Sequence, residues 1–357
     1  MKPRPVRRQG GLNGGLAAQR GVGLALDVGY VQYEMCGAVD GPVVVVLGGI
    51  SASRHLSSNE LDGTPGWWES AVGPGRAIDT NRYCVVGIDY LTRLRGRPNQ
   101  SSHPRTVTTF DQAHAIELVL DAIEVRRARA IVGASYGGMT ALAFASRALG
   151  RVEQIVVISA AHQSDPLATA VRSIQRRIVR LSEDAGRSSE GVALARALAM
   201  TTYRTPTEFS GRFHNEPSFG DGGVTFPAEE YVIARGKHYA DRTAPKDFCE
   251  LTLSLDLHAV TPEAIKVPAT LIGIAEDQLV PIERIRELNR RLGGRSQLIE
   301  LNSRFGHDAF LKDTYRMAPF IADVLEGSSL SSIVGRDEAG ESAHARAALG
   351  RYGEIPQ

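Results

Sequence analysis

Residues 133–137 have the types and spacing of a nucleophilic serine site. They read Gly-Ala-Ser-Tyr-Gly, which fits the pattern G-x-S-x-G, and they stand between an apolar run at 130–132 and a helix-forming stretch at 139–149. A nucleophile between a strand and a helix occupies a strained turn, and the positions flanking it leave no room for a Cβ atom. We therefore predict that Ser135 is a nucleophile at the carboxyl end of a strand, with a helix amino terminus behind it.

A serine hydroxyl attacks only when a base removes its proton, so a histidine and an orienting carboxylate are expected further along the chain. Asp277 follows an apolar run at 270–274, and His307 follows another at 298–301. Both positions are therefore predicted strand ends. Glu276 is the alternative acid, but we prefer Asp277 because the Asp-x-x-Val-Pro arrangement places it at the apex of its loop. The sequence thus predicts a Ser-His-Asp catalytic triad.

Attack by the serine creates a negatively charged oxygen, which two fixed N–H groups must stabilise. The residue after the nucleophile, Tyr136, supplies one of them. The other is expected from the loop after an early strand, here residues 47–51. Gly49 is our candidate for this oxyanion hole, and Ile50 is the alternative.

The elements that must position these residues alternate along the chain. Runs rich in β-branched residues, typical of strands buried on both faces, occur at 43–47, 83–88 and 155–158. Between the runs at 83–88 and 155–158, residues 111–123 carry apolar side chains at helical spacing. Strands that alternate with helices predict an α/β fold, with a mostly parallel central sheet flanked by helices.

One insertion and two tails complete the predicted organisation. Residues 165–257 contain amphipathic helical stretches, at 174–181 and 191–202, but no convincing buried strand. This predicts a helical cap inserted into the sheet domain. The predicted division is a flexible basic arm at 1–25, a core at 26–164 and 258–326, the cap at 165–257, and a mobile tail at 327–357.

Charge and hydropathy exclude several classes of function. The 357 residues carry a formal net charge of +1, and the basic arm has no aromatic residues among its charges, which disfavours nucleic-acid binding. No apolar run approaches the roughly 20 residues that span a membrane. Glycines and Asn13 stand where a secretion signal needs its apolar core, so a cytoplasmic location is expected.

The sequence gives no indication of a metal or a tightly bound cofactor. Cys36, Cys84 and Cys249 are far apart, which fits neither a disulfide framework nor a zinc site. The nine histidines form no H-x-x-x-H or H-E-x-x-H cluster, and no phosphate loop is present. We expect a reducing compartment and catalysis by side chains alone.

Stretches outside the triad resemble one family of the α/β-hydrolase superfamily, the homoserine O-acyltransferases of methionine biosynthesis. Residues 66–80 match the family pattern G-W-W-x-x-x-V-G-P-G-x-x-x-D-T, residues 195–204 match A-R-x-x-x-x-x-T-Y-R, and residues 306–311 read G-H-D-A-F-L. The elbow at 135–139, Ser-Tyr-Gly-Gly-Met, is also similar. The resemblance covers most of residues 40–325 and implies the α/β-hydrolase fold with a helical cap.

The resemblance implies a ping-pong reaction in which Ser135 takes an acyl group from acyl-CoA, a substrate rather than a cofactor, and passes it to L-homoserine. His307 would activate the homoserine hydroxyl. By the same resemblance, Arg196 would pair with the homoserine carboxylate, Tyr203 would add a hydrogen bond, and Asp308 would hold the ammonium group. The family also forms homodimers through its cap helices, which we expect here.

Two segments depart from the acetylating members of the family, and they leave the acyl donor open. Residues 96–102 replace a G-S-T-G-P-like stretch, and residues 48–53 replace an L-T-G loop. Acetyl-CoA needs only a small apolar pocket, whereas succinyl-CoA needs a cation for its free carboxylate. The candidate cations are Arg54, Arg95 and Arg97.

Other functions compatible with the same triad also remain open at this point. Some members of the family accept L-serine. An esterase or thioesterase would use water as the acceptor, and Arg196 and Asp308 would then have no charged substrate to bind. A catalytically inactive binding protein on the same fold is disfavoured by the complete triad.

Overall fold

The computed structural model describes residues 19–26, 29–92, 106–147, 150–220 and 223–327. Its strands, in chain order, are β1 (Gln19–Leu26), β2 (Gly29–Gly37), β3 (Val43–Leu47), β4 (Val72–Gly73), β5 (Ile78–Asp79), β6 (Cys84–Ile88), β7 (Ala130–Ala134), β8 (Ile155–Ile158), β9 (Ser218–Gly220), β10 (Gly223–Thr225), β11 (Ala269–Ile274) and β12 (Ser296–Leu301).

Eight of these strands form one sheet in the order β1-β2-β6-β3-β7-β8-β11-β12. Strand β2 is antiparallel to both of its neighbours, and every other pair in the sheet is parallel. The prediction of a mostly parallel central sheet is therefore confirmed. Strands β4 and β5 pair with each other, as do β9 and β10.

The α-helices lie between and around the strands. They are α1 (Thr109–Ala122), α2 (Tyr136–Arg147), α3 (Pro166–Asp184), α4 (Ser188–Tyr203), α5 (Pro206–Arg212), α6 (Pro227–Ala240), α7 (Pro245–Asp256), α8 (Ile282–Arg291), α9 (Ala309–Lys312) and α10 (Thr314–Glu326), with 3₁₀ turns at Pro262–Ala264 and Gly306–Asp308. None of the helices in the described ranges is long and apolar enough to cross a lipid bilayer.

The central strands are buried on both faces, which explains their continuous apolar sequences. All five residues of β3 are buried, and successive side chains enter different apolar clusters. Val45 belongs to the cluster that contains Leu142 of α2, whereas Val46 belongs to the cluster that contains Ile321 of α10. Because each face of the sheet is covered, the exposed chemistry is confined to the loops at the strand ends.

Between β8 and β11 the chain leaves the sheet and forms helices α3 to α7 and the β9–β10 hairpin. This is the segment that the sequence analysis assigned to a cap. It has a small apolar cluster of its own, in which Val192 and Ala195 of α4 pack with Tyr239 of α6 and Phe248 of α7. The cap is thus held together by its own side chains as well as by the core beneath it.

The prediction of a flexible arm at 1–25 is wrong for residues 19–25, which belong to β1. This strand forms an antiparallel hairpin with β2, whose outer edge would otherwise expose unpaired backbone N–H and C=O groups. Residues 1–18 lie outside the described residues. At the other end, α10 stops at Gly327, whose left-handed conformation caps the helix, and the remainder of the predicted tail, residues 328–357, also lies outside them.

Candidate active site

Ser135 occupies the turn between β7 and α2 with a positive φ of 53°. Two glycines allow this turn. A Cβ atom on Gly133 would lie 2.3 Å from the Gly137 carbonyl oxygen, and one on Gly137 would lie 2.3 Å from the Leu47 carbonyl oxygen. Any other residue would push the helix and the strand apart, so the turn requires glycine at both positions.

The structure brings the three predicted triad residues together. His307 Nε2 lies 2.8 Å from Ser135 Oγ, and His307 Nδ1 lies 2.7 Å from Asp277 Oδ2. The other carboxylate oxygen of Asp277 accepts the backbone N–H groups of Leu279 and Val280, at 2.9 and 3.0 Å. The loop after β11 therefore fixes the carboxylate, which in turn fixes the orientation of the imidazole.

The charge state of His307 depends on its hydrogen bond to Asp277. Burial on its own would lower the pKa of the imidazole, but the Asp277 carboxylate favours the protonated form, and the resulting pKa lies above the usual 6.5. Asp308 acts in the same direction, and Arg172 opposes it. A base of raised pKa is a stronger proton acceptor for Ser135, provided that the solution pH keeps it neutral.

The two predicted oxyanion-hole residues lie beside Ser135. The Gly137 N–H donates to the Gly48 carbonyl at 2.9 Å, which holds the loop after β3 against the turn. As a result, the Cβ position of Gly49 lies 3.9 Å from Ser135 Cβ. Tyr136 is fully buried, and its hydroxyl is hydrogen-bonded to Ser254 Oγ at 2.7 Å.

The alternatives considered from the sequence have other partners. Glu276 accepts the Ser303 N–H at 2.8 Å and makes no hydrogen bond to His307. Arg54, one of the candidate cations for an acyl carboxylate, forms an ion pair with Asp89 and is not among the residues that line the cavity described next. Arg95 and Arg97 lie outside the described residues. Ile50 lines the cavity beside Gly49 and remains the alternative oxyanion donor.

A cavity above Ser135 separates the core from the cap. The core contributes the triad serine and histidine together with loop residues, and the cap contributes charged and polar side chains. Its walls include Gly49, Trp67, Ser135, His307 and Asp308 from the core, and Arg172, Gln175, Arg196 and Tyr203 from the cap.

Arg196 is held at the cavity wall by aromatic rings rather than by an acid. Its Nη1 donates to the Tyr203 hydroxyl at 3.0 Å, and its guanidinium lies over the rings of Tyr203 and Tyr239, 4.9 and 4.7 Å from their centroids. Among the described residues it forms no ion pair with a carboxylate. Its charge is therefore available to an anionic ligand.

Asp308 also lines the cavity, but it already has a partner. Arg204 donates from Nε to Asp308 Oδ2 at 3.2 Å and from Nη1 to Glu208 Oε1 at 2.7 Å. Arg204 is 5% exposed, so this ion-pair network is buried. Arg204 was not among the predicted site residues, although its position directly after Tyr203 in the A-R-x-x-x-x-x-T-Y-R stretch was a usable signal.

Three further residues near the site, Arg172, Gln175 and Tyr239, were also not predicted. Tyr239 comes from α6, and nothing in the local pattern connects it to Arg196. Arg172 and Gln175 lie on the buried face of α3, and periodicity alone predicts an amphipathic helix without saying that its polar face turns inward.

The G-W-W stretch has a structural role beside the site. The indole N–H of Trp68 donates to the Phe310 carbonyl at 2.8 Å, three residues beyond the triad histidine, and Trp67 stacks on Trp68 with 5.1 Å between ring centroids. Trp68 is buried, whereas Trp67 lines the cavity. The stretch therefore fixes the segment that carries His307. No cluster of potential metal ligands occurs within the part of the chain that the structure describes.

Comparison with known proteins agrees with this architecture. A family model for the alpha/beta hydrolase fold matches residues 42–314, which confirms the predicted fold. The chain is 41% identical to a homoserine O-succinyltransferase from Xanthomonas campestris pv. campestris over 83% of this chain and 78% of that one. It is 31% identical to a serine O-succinyltransferase from Litchfieldella anticariensis, over 84% and 93%. The crystal structure of esterase E22 shares the fold, with a TM-score of 0.74 at 21% identity over 87% of this chain and 99% of that one.

We predict that Asp277→Asn slows hydrolysis of p-nitrophenyl acetate by about 10³- to 10⁴-fold, because the imidazole loses the group that orients it. Only neutral His307 accepts the serine proton, so the wild-type rate rises with pH through a pKa above 6.5. Without the carboxylate the pKa of His307 falls, so the pH–rate profile of the variant should be shifted towards lower pH. The measurement is the pH–rate profile, with Glu276→Gln as the matched control. A shifted profile in the control and not in Asp277→Asn would contradict the assignment.

Proposed function

Since the chain belongs to the homoserine O-acyltransferase family of the α/β-hydrolase superfamily, we propose that it transfers a succinyl group from succinyl-CoA to the hydroxyl of L-homoserine, a reaction of methionine biosynthesis. One observation carries the proposal. The cavity above the Ser135–His307–Asp277 hydrogen-bond chain contains Arg196, a cation without a carboxylate partner among the described residues. A hydrolase that uses water has no need of such a cation.

In the first half of the reaction, Ser135 Oγ attacks the thioester carbonyl as His307 Nε2 takes its proton. The carbonyl oxygen becomes an oxyanion, for which the N–H groups of Tyr136 and Gly49 are the proposed donors. The C–S bond then breaks, His307 gives its proton to the departing thiolate, and CoA leaves. The succinyl group remains on Ser135 as an ester. Acyl-CoA is thus a substrate, and its use agrees with the cytoplasmic location that the sequence predicts.

In the second half, the homoserine hydroxyl replaces the thiol. His307 Nε2 takes the hydroxyl proton, the oxygen attacks the ester carbonyl, and the bond to Ser135 Oγ breaks as the serine regains a proton. Water competes for the same ester, so a bound acceptor must hold its hydroxyl near the imidazole. The cap side chains of the cavity are placed to provide that hold.

The charges of the cavity suit the two charged groups of an amino acid. The Arg196 guanidinium is the proposed partner of the α-carboxylate, with the Tyr203 hydroxyl beside it. The Tyr203 ring lies 6.0 Å from the His307 ring, which places this end of the cavity next to the base. Asp308 Oδ2 is bound to Arg204, and its second oxygen, Oδ1, is the proposed partner of the ammonium group.

Two observations support succinyl-CoA over acetyl-CoA as the donor. The two similar relatives described above are both named as succinyltransferases. In addition, the cavity contains a cation beyond Arg196, namely Arg172, which an acetyl group does not need. The acceptor is proposed as L-homoserine because the more similar of those relatives is named for it, and L-serine is the alternative that the experiment must test.

We also propose that the protein forms a homodimer through the cap. Helix α3 exposes three large apolar side chains at seven-residue spacing, Leu167, Ile174 and Leu181, which are 65%, 52% and 66% exposed. A seven-residue apolar repeat forms a stripe along one side of a helix, which is the pattern that packs against a second helix. A second copy of this chain would cover the stripe.

The central experiment measures thiol release from succinyl-CoA and from acetyl-CoA, each with L-homoserine, with L-serine and without an acceptor, and identifies the products by mass spectrometry. We expect release that depends on L-homoserine and is fastest with succinyl-CoA. Ser135→Ala should abolish it. Release that is independent of any amino acid would instead indicate a hydrolase.

We predict that Arg196→Gln leaves acylation of Ser135 by succinyl-CoA unchanged but lowers kcat/KM for L-homoserine by about 100-fold, because a charge-assisted bond to the acceptor is lost. The matched control is Arg212→Gln. Arg212 is also a cap arginine that stacks on a tyrosine, at 4.3 Å from the Tyr231 centroid, but it does not line the cavity. A silent Arg196→Gln would show that the acceptor carboxylate binds elsewhere.

For the homodimer, we expect light scattering coupled to size-exclusion chromatography to give twice the chain mass for the wild type. Ile174→Glu places a charge in the middle of the apolar stripe and should shift the protein to the monomer. Glu190→Lys, an exposed change on α4 outside the stripe, serves as the control. A monomeric wild type would refute the proposal.

A further inference from the structure

Helix α3 is amphipathic in the reverse of the usual sense. Its outward side carries the apolar stripe, and its buried side carries polar residues. The buried residues of α3 are Ala168, Arg172, Gln175, Arg176 and Val179. Burial of a guanidinium or an amide is unfavourable unless partners compensate it, so the inward polar face requires an explanation.

Other residues of the protein provide hydrogen-bond partners for only some of the polar groups on the buried side of α3. Arg172 donates from Nε to Asp256 Oδ1 at 2.6 Å and from Nη2 to Ser164 Oγ. The second oxygen of Asp256 lies 2.7 Å from Nη2 of Arg176. One carboxylate therefore serves two guanidinium groups, and the Nη1 atom of Arg176 is buried with no hydrogen-bond partner in the described structure.

Gln175 adds a polar side chain without a partner among the described residues, on the same face of α3. It is 3% exposed, it lines the cavity one turn from Arg172, and its side-chain amide makes no hydrogen bond to any residue that the structure describes. The amide is not enclosed by protein atoms and faces the cavity, where a ligand group can reach it. Arg172 and Gln175 stand at i and i+3 on one helix face, so both can reach a single ligand group.

We infer that Arg172 and Gln175 form the subsite for the terminal carboxylate of a dicarboxylic acyl donor. This inference rests on the proposed function and names the residues that select the donor. Arg172 and Gln175 line the same cavity as Ser135 and His307, so both face the space that an acyl group on Ser135 would enter.

The order of the reaction requires a cation separate from Arg196. The succinyl group stays on Ser135 while homoserine binds, so two carboxylates occupy the cavity at the same time and repel each other unless each has its own partner. The third cavity arginine, Arg284, already lies 3.3 Å from Asp165 and 3.7 Å from Glu287. Within the described ranges Arg172 has one carboxylate partner, Asp256, which it shares with Arg176, and Arg172 is therefore the better placed cation.

The test compares succinyl-CoA with butyryl-CoA, which has the same four-carbon chain but no carboxylate. In Arg172→Met, kcat/KM for succinyl-CoA should fall by about 100-fold, while that for butyryl-CoA changes by less than about threefold. Arg172→Lys keeps the charge and should recover part of the loss. Gln175→Leu leaves the ion pairs intact and should lower the succinyl-to-butyryl ratio by about tenfold.

Arg284→Met is the matched control, because it removes a charge from the same cavity and should leave the ratio within about threefold of the wild-type value. Equal losses for both donors in Arg172→Met and Gln175→Leu would show a merely structural role and overturn the inference. The inference is also overturned if Arg284→Met alone changes the succinyl-to-butyryl ratio, or if the wild type does not prefer succinyl-CoA to butyryl-CoA.

A failure of the proposed function is recognised separately. Formation of the acyl-enzyme, followed by intact-protein mass spectrometry without any acceptor, reports donor selection alone. If the wild type forms the succinyl-enzyme but does not transfer it to L-homoserine, the acceptor assignment is wrong and the donor subsite is still tested by the ratio. If Arg172→Met does not fold, Gln175→Leu provides the deciding ratio.

Discussion

The hydrogen bond from the Gly137 N–H to the Gly48 carbonyl is the contact on which the rest of the site depends. It joins the loop after β3 to the turn that carries the nucleophile. It can form only because residue 137 lacks a Cβ atom, which would lie 2.3 Å from the Leu47 carbonyl oxygen. The same contact brings Gly49 beside Ser135. One backbone distance thus sets both the direction of the serine hydroxyl and the position of the proposed oxyanion donors.

Much of this arrangement could be predicted from the sequence, because parallel strands collect their functional residues at one edge. The buried strands were recognisable from continuous β-branched runs such as the one that forms β3. Asp277 and His307 were recognisable because each follows such a strand in the chain order of this fold. The choice between Asp277 and the neighbouring Glu276 depended on loop shape, and the structure gives Glu276 a different partner, the Ser303 N–H.

The remaining features depend on contacts between distant parts of the chain. Helix α2 begins at Tyr136, earlier than the predicted start at 139, because tertiary packing overrides the low helix propensity of Gly137 and Gly138. The hairpin strand β1 was missed because its pairing with β2 is not visible in local composition. The inward side of α3 was also unpredictable, since periodicity locates two faces but not which of them meets the core.

The end of α4 is joined to the loop of the triad histidine at several points. Arg204 pairs with Asp308, the Thr205 hydroxyl donates to the Arg304 carbonyl at 2.5 Å, and Tyr203 lies beside His307. The cap and the loop that carries His307 are therefore joined by direct contacts and do not form two separate parts. These contacts limit the exchange of caps between proteins of this fold. The cap cannot be transplanted as an independent module, because a recipient without the matching loop would remove Asp308 from the buried Arg204 and leave it only Glu208 of the cap as a described carboxylate partner.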